Sequence, residues 1–320
     1  MASVTTSRRW WILAAIVAAL VIVLVCGELL PSYRLRLATD ILIFGLLAMS
    51  LDILAGYTGL PSLGHGLYFG SAAYAAAILA RDHSESFLLG LAIGVAVPVA
   101  IAIVAAPFAL RTTGAYFLMI TFAFGQLGIA VALRYRSLTG GADGLAAVCG
   151  LVAWQIVRSP FGAVLRGVRE NPQRMEALGF NVWVFRYMSF LIASALGGVA
   201  GVLYAYHSGF VNPETMGLTT SAEVLLMGIL GSAGTLIGPL LGAALVLLLE
   251  EYTRSSFGDH WRLLIGLTYV ATVFVARGGI LRLAMAGIRR VRSRSTNAAP
   301  PSQPPTTIGD AQAQVTGGPT

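Results

Sequence analysis

The sequence predicts an all-α integral membrane protein of about eight to ten transmembrane helices, including one broken or re-entrant pair, with both termini cytoplasmic. Three observations lead there. Apolar residues fill 57% of the 320 positions and charged residues only 11%, less than half the share of roughly 25% found in soluble domains. Apolar runs recur at about the 20-residue length that crosses a hydrocarbon core of about 30 Å. The arginines then alternate between loops, those assigned to the cytoplasmic side outnumbering the others about two to one. Mean hydropathy is +0.78.

Taken in order, Arg8 and Arg9 precede an apolar run at 10–30. The run is too long for a signal-peptide core and has no small-residue cleavage site, so it reads as a first span. Further apolar segments fall at about 38–55, 66–80, 87–110, 115–133, 144–157, 184–206, 221–231, 235–250 and 261–276. Segment 144–157 would reach only about 21 Å as a helix. The pair 221–231 and 235–250 is joined by Gly231-Ser-Ala-Gly-Thr235, with Gly238-Pro239 close behind. Freed backbone groups are tolerated in a membrane only when buried in protein or lining a cavity. These two segments therefore read as a broken pair, the competing reading being one long kinked helix. A polytopic membrane domain at 1–292 is followed by a Pro-, Thr- and Gln-rich stretch at 293–320, which buries too little to order itself and reads as a disordered cytoplasmic tail.

The charge pattern excludes several functions. Net charge is +7, and the chain contains Arg but no Lys. It cannot build a GxxxxGK[ST] phosphate loop or a Schiff base, so any nucleotide energy comes from another subunit. The basic excess sits at the ends of apolar segments, which implies topology and lipid contact rather than nucleic acid. Cys26 and Cys149 show neither CxxC nor Cys/His spacing, which predicts no metal site and no disulfide framework.

The most informative segment is the polar loop 158–183, assigned to the cytoplasm. Asn171 suits an N-cap, Pro172 the first helical position, and Gly179 a left-handed helix end. A helix of about seven residues results, with Met175 and Leu178 on one face beside Arg174 and Glu176. A short capped amphipathic helix suits docking into a groove on a partner through a few anchors; the other reading is a helix resting on lipid. Upstream, Gly56, Gly59, Gly64, Gly66 and Gly70 surround the helix breaker Pro61. The carboxyl of Asp52 and the polar groups of Tyr57, Thr58, Ser62 and His65 could line a path or bond across helices, and the glycines could serve close packing. Thr113, Tyr116, Thr121 and Gln126 form a second candidate polar stripe.

These residues resemble a family. Glu170-Asn171-Pro172, Glu176-Ala177 and Gly179, following Ser159-Pro160-Phe161-Gly162, look like the ATPase-coupling loop of branched-chain amino acid ABC transporter permeases, and more specifically of their M-type subunit. Met49-Ser-Leu-Asp-Ile-Leu-Ala-Gly-Tyr-Thr-Gly-Leu-Pro-Ser-Leu-Gly-His-Gly66 with Phe69-Gly70 and Ala73-Tyr74, Leu110-Arg-Thr-Thr-Gly-Ala-Tyr-Phe117, Thr139-Gly-Gly-Ala-Asp-Gly144 and the Gly-rich stretch 228–242 are similar to it too. The resemblance covers about residues 35–280.

It implies a non-enzymatic permease in the bacterial inner membrane that pairs with a homologous second permease. Two cytoplasmic ATPase subunits would hold the ATP and Mg, this chain holding no cofactor. An extracytoplasmic binding protein would deliver a branched-chain or related amino acid. On that reading Glu170, Asn171, Pro172, Arg174, Met175, Ala177, Leu178 and Gly179 form the coupling surface. Two departures stand out. The family has a longer stretch and a full span between the motifs at 139–144 and 159–162, where this chain has only 145–157. The family also more commonly has Asn where Asp52 stands.

Two other functions compete with a transport subunit. An ion- or proton-coupled carrier would use Asp52, His65 and Glu223, although no self-similarity of the kind carriers show is evident. A membrane-embedded enzyme would need a tighter constellation than Asp52 and His65 across a Pro-Gly break.

Overall fold

The computed structural model describes residues 32–82, 87–132 and 145–257, with a helical pair at 266–267. The expected first span at 10–30, the motif at 139–144, most of segment 261–276 and the tail from 293 lie outside the described residues, as do both termini. Among the described residues the chain is all-helical. The helices are α1 (Ser32–Thr58), α2 (His65–Asp82), α3 (Phe87–Ala109), α4 (Ala115–Ala132), α5 (Leu145–Arg158), α6 (Pro160–Glu170), α7 (Pro172–Ala177), α8 (Val182–Ser208), α9 (Leu218–Gly231) and α10 (Ile237–Phe257). A 3-10 turn, Pro213–Met216, precedes α9.

Among the described residues, three stretches are long and apolar enough to cross a membrane: Tyr33–Thr58, Phe87–Ala109 and Val182–Ser208. The 27 residues of α1 extend about 40 Å. Helix α8 lies against α1, α2 and α3, and the residues it buries include Ala193, Gly197, Gly198, Ala200 and Gly201. Helix α3 answers with Gly90, Gly94, Pro98, Ala102 and Ala106, all buried and spaced four apart. Such small-residue rows let helix backbones approach where no hydrophobic effect separates protein from lipid. The other side of α3 leaves Leu88, Ile103, Val104 and Phe108 exposed, an apolar face suited to lipid.

Two passages break the regular helix packing. His65 lies level with Ser50, its Nε2 2.7 Å from Ser50 Oγ, although α1 runs on two further turns to Thr58. The chain at 59–64 therefore doubles back into the bundle before α2 starts. Beyond α8 the chain at 209–217 likewise returns along α2. Tyr74 Oη donates to the Val211 carbonyl at 3.5 Å, and the Gly66 amide donates to Ser221 Oγ at 2.9 Å. The starts of α2 and α9 thus meet inside the protein.

The predicted broken pair is a hairpin. Gly231 abuts Gly238 and Gly242 abuts the Met227 carbonyl, backbone against backbone, where any side chain would collide. Helices α9 and α10 therefore run antiparallel with the turn at 232–236, and a single kinked helix is excluded. Helix α5 is described over 14 residues. The return at 209–217 went unrecognised in the sequence, although Gly209, Asn212-Pro213 and Gly217 signalled it.

Candidate functional site

One end of the bundle gathers α6, α7, the end of α1 and the 232–236 turn. Asn171 joins α6 to α7 without slack. Its amide donates to the Gly167 carbonyl at 2.9 Å, closing α6, and its Oδ1 accepts from the Arg174 amide at 2.9 Å, opening α7. Pro172 occupies the first position, where a missing N–H costs nothing. Gly179 (φ +87°) then ends α7. The Gly179 amide donates to the Glu176 carbonyl at 2.9 Å and that of Phe180 to the Met175 carbonyl at 3.0 Å, the paired bonds of a Schellman motif. Asn181 caps α8 in turn, its Oδ1 accepting from the Val184 amide at 3.3 Å.

The predicted docking surface needs one correction. Met175 is only 9% exposed; it packs with Val164, Val168 and Val182 and anchors α7 to its own neighbours. A helix this short has too little local stability to stand alone, so one apolar side chain must face inward. The outward face carries Glu170, Asn171, Arg174, Ala177, Leu178 and Gly179, with Pro172 partly covered. Leu178 is 66% exposed. Phe180 adds a second exposed apolar group that the sequence reasoning passed over.

The candidate path residues divide. Asp52, Tyr57, Thr58, Ser62 and His65 are all buried, and the bonds described for them close within this chain. Thr58 donates to the Leu54 carbonyl at 2.5 Å, and Ser62 Oγ accepts from the Gly64 amide at 3.2 Å. His65 pairs with Ser50 and meets the Tyr68 ring edge to face at 5.7 Å. Thr121 is buried and accepts from the Leu63 amide at 3.2 Å. Thr113, Tyr116 and Gln126 are exposed and lie apart from it; Tyr116 is 72% exposed. The expected stripe does not form because five-residue steps turn about 140° on a helix at 100° per residue, and Thr113 precedes α4. Asp52, His65 and Glu223 are not brought together. Asp52 bonds the 232–236 turn and His65 bonds Ser50. Glu223 lines a cavity elsewhere.

Asp52 is a clamp. Its Oδ1 accepts from the Gly234 amide at 2.7 Å and its Oδ2 from the Leu236 amide at 3.2 Å. An Asn there would offer one acceptor and set an NH2 group against the second amide, so a carboxylate suits the two amides of this turn. One turn on, Gly56 lies against Asp52 and Gly234 so closely that any Cβ would overlap them. The Gly56 carbonyl accepts from Arg169 Nη1 of α6. Ile53, Tyr57, Leu165 and Leu236 pack together beside these bonds, and the Arg166 guanidinium lies 5.8 Å from the Tyr57 ring centroid.

The opposite end is differently built. Arg36, Asp40, His207, Glu223, Glu250 and Arg254 line a polar cavity of about 430 Å³. His207 Nε2 stands 3.5 Å from Asp40 Oδ1, and Tyr33 Oη donates to Glu251. Between α2, α3 and α4 an apolar cleft of about 500 Å³ is lined by Leu67, Ile78, Ile101, Phe124 and Leu127, with Ser71 and Tyr74 as polar members.

Fold and site together describe a multi-helix membrane protein with several helices long and apolar enough to cross the bilayer, with broken helical passages inside and a short capped helix at one end. The chain belongs to the branched-chain amino acid transport system permease component family, which matches residues 33–148 and 144–273. The two matched stretches meet where the sequence looks shortened. It is similar to the high-affinity branched-chain amino acid transport system permease protein LivM of Salmonella typhimurium, 24% identical over 82% of this chain and 73% of that one. LivM of Escherichia coli is 24% identical over 77% of this chain and 69% of its own length. A nucleoside ABC transporter permease protein, NupC of Lactococcus lactis, is 44% identical over 19% of this chain and 20% of its own. At the level of its family this is a transport subunit and not an enzyme.

Proposed function

We propose that this chain is the membrane-spanning permease subunit of an ABC importer for branched-chain or related hydrophobic amino acids. It translocates substrate on ATP hydrolysed by separate subunits and holds no cofactor of its own. Its partners are a homologous second permease, two cytoplasmic ATPase subunits that dock on α7, and an extracytoplasmic binding protein. The chain resides in the bacterial cytoplasmic membrane with both termini inside, and the tail at 293–320 is dispensable for transport.

The observation that carries this reading is α7. A six-residue helix is capped at both ends, anchored inward by Met175, and offers Leu178 and Phe180 outward. Groove docking uses an element of this shape, with a few apolar anchors among polar groups. The absence of Lys supports the same division of labour.

The test is reconstitution of the assembled transporter in liposomes with binding protein outside and ATP inside. Leucine, isoleucine or valine should be retained by the binding protein and accumulate only with hydrolysable ATP. Accumulation driven by an ion gradient without the ATPase subunits would overturn the reading. Retention of nucleosides instead would overturn the substrate class alone.

A further inference from the structure

We propose that Asp52 and Arg169 form a transmission clamp that passes movement of α7 to the 232–236 turn, making Arg169 a positioning residue for opening the path at this end of the bundle. The inference rests on α7 being the helix that ATPase subunits move, and it names what that helix moves in turn.

The chain of contacts is short. Arg169 stands in the last turn of α6, and Asn171 serves as the cap of both α6 and α7, so a displacement of α7 carries α6 with it. Arg169 Nη1 donates to the Gly56 carbonyl at the end of α1 and also abuts Gly234 in the turn. Asp52 in turn holds both the Gly234 and the Leu236 amides. Leu165 of α6, Ile53 and Tyr57 of α1 and Leu236 of the turn form the apolar half of the same contact. Three elements distant in sequence therefore meet at one polar knot with an apolar backing.

The turn itself is under tension. Ser232 (φ +91°) and Leu236 (φ +55°) are non-glycine residues in a conformation that L side chains disfavour, beside Gly234 (φ +88°). Such residues persist only where surrounding contacts over-determine them. Here those contacts come from α1 and α6, so loosening either lets the turn relax. An element with a held and a relaxed arrangement is what a moving partner needs to bias. The turn also begins α10, whose far end places Glu250 and Arg254 at the polar cavity, so the clamp is joined to the opposite end by one continuous helix.

The experiment uses the complete transporter in liposomes, with binding protein, ATPase subunits and ATP, and reads ATP hydrolysed per solute imported. Arg169→Gln should assemble at wild-type yield and hydrolyse ATP at about the wild-type rate. It should nevertheless raise the ratio about tenfold, within the usual range of coupling energies. Arg169→Lys keeps a cationic donor and should restore most of the coupling. Gly234→Ala should reproduce the Arg169→Gln behaviour, since a Cβ there would stand 3.0 Å from the Gly56 carbonyl and 3.1 Å from Arg169 Nη1. If Arg169→Gln does not assemble, the other two variants decide by the same ratio. An unchanged ratio, whether both rates stay normal or fall in parallel, would overturn the clamp and leave Arg169 a merely structural contact. Wild-type import independent of ATP would instead overturn the importer reading, and the clamp with it.

Discussion

Met175→Ala separates the inward anchor of α7 from its outward face. The side chain is 9% exposed and packs on Val168 and Val182. Truncating a buried Met to Ala costs about 2–5 kcal/mol, and the lower part of that range applies because α7 lies at the surface and can settle. A loss of about 3 kcal/mol raises the population of undocked α7 roughly a hundredfold. The cost falls mainly on α7, because among the described residues the helix packs chiefly on α6 and α8. Hydrogen exchange on the purified permease reads it directly, at the amides of Leu178, Gly179 and Phe180, which bond to Arg174, Glu176 and Met175. Their exchange should accelerate by about two orders of magnitude, while the amides of α8 beyond its first turns stay protected. Leu178→Ala removes a side chain that is 66% exposed; it should leave exchange unchanged and weaken capture of the ATPase subunits. Equal exchange in wild type and Met175→Ala would refute the inward assignment, and acceleration in Leu178→Ala alone would reverse the two roles.

Other consequences follow from the same contacts. Asn171→Ala removes the N-cap of α7 and should cost about 1 kcal/mol of local stability, seen as faster exchange at Arg174 with α8 untouched. Gly242→Leu forces a side chain into the Met227 carbonyl; the α9–α10 hairpin cannot close, and protease should cut at 232–236 in membranes where the wild type resists. Ser50→Ala deprives buried His65 of its partner at 2.7 Å and should cost about 1–3 kcal/mol, lowering the unfolding midpoint. The pH profile of uptake should keep its shape in that variant, and a displaced profile would return His65 to a role in proton movement.

Much of the candidate site was legible in the sequence, and the reasons differ by residue. The caps of α7 could be found because Asn171-Pro172 and Gly179 act on their own backbone within a turn. The break at Pro61 and the turn at 232–236 were visible for the same reason, since Gly and Pro alter the chain where they stand. The direction in which Met175 points was not, because a face with two apolar residues does not say which one meets its own protein. The proposed stripe on α4 failed on arithmetic available beforehand, five-residue spacings being out of phase with a helix.

The sequence by itself determined that this chain lives in a membrane, that it breaks near Pro61 and at 232–236, and which short segment projects from the bundle. Those properties depend on composition, on local backbone chemistry and on the sharp boundary between lipid and water, all read from neighbours in the chain. Only the tertiary structure decided what Asp52 does. Its partners stand 182 and 184 residues away, and Arg169 reaches Gly56 across 113. A buried carboxylate looks the same in a sequence whether it awaits a passing solute or holds two backbone amides. The fold distinguishes them, by bringing a tense turn within bonding distance and closing the space around it.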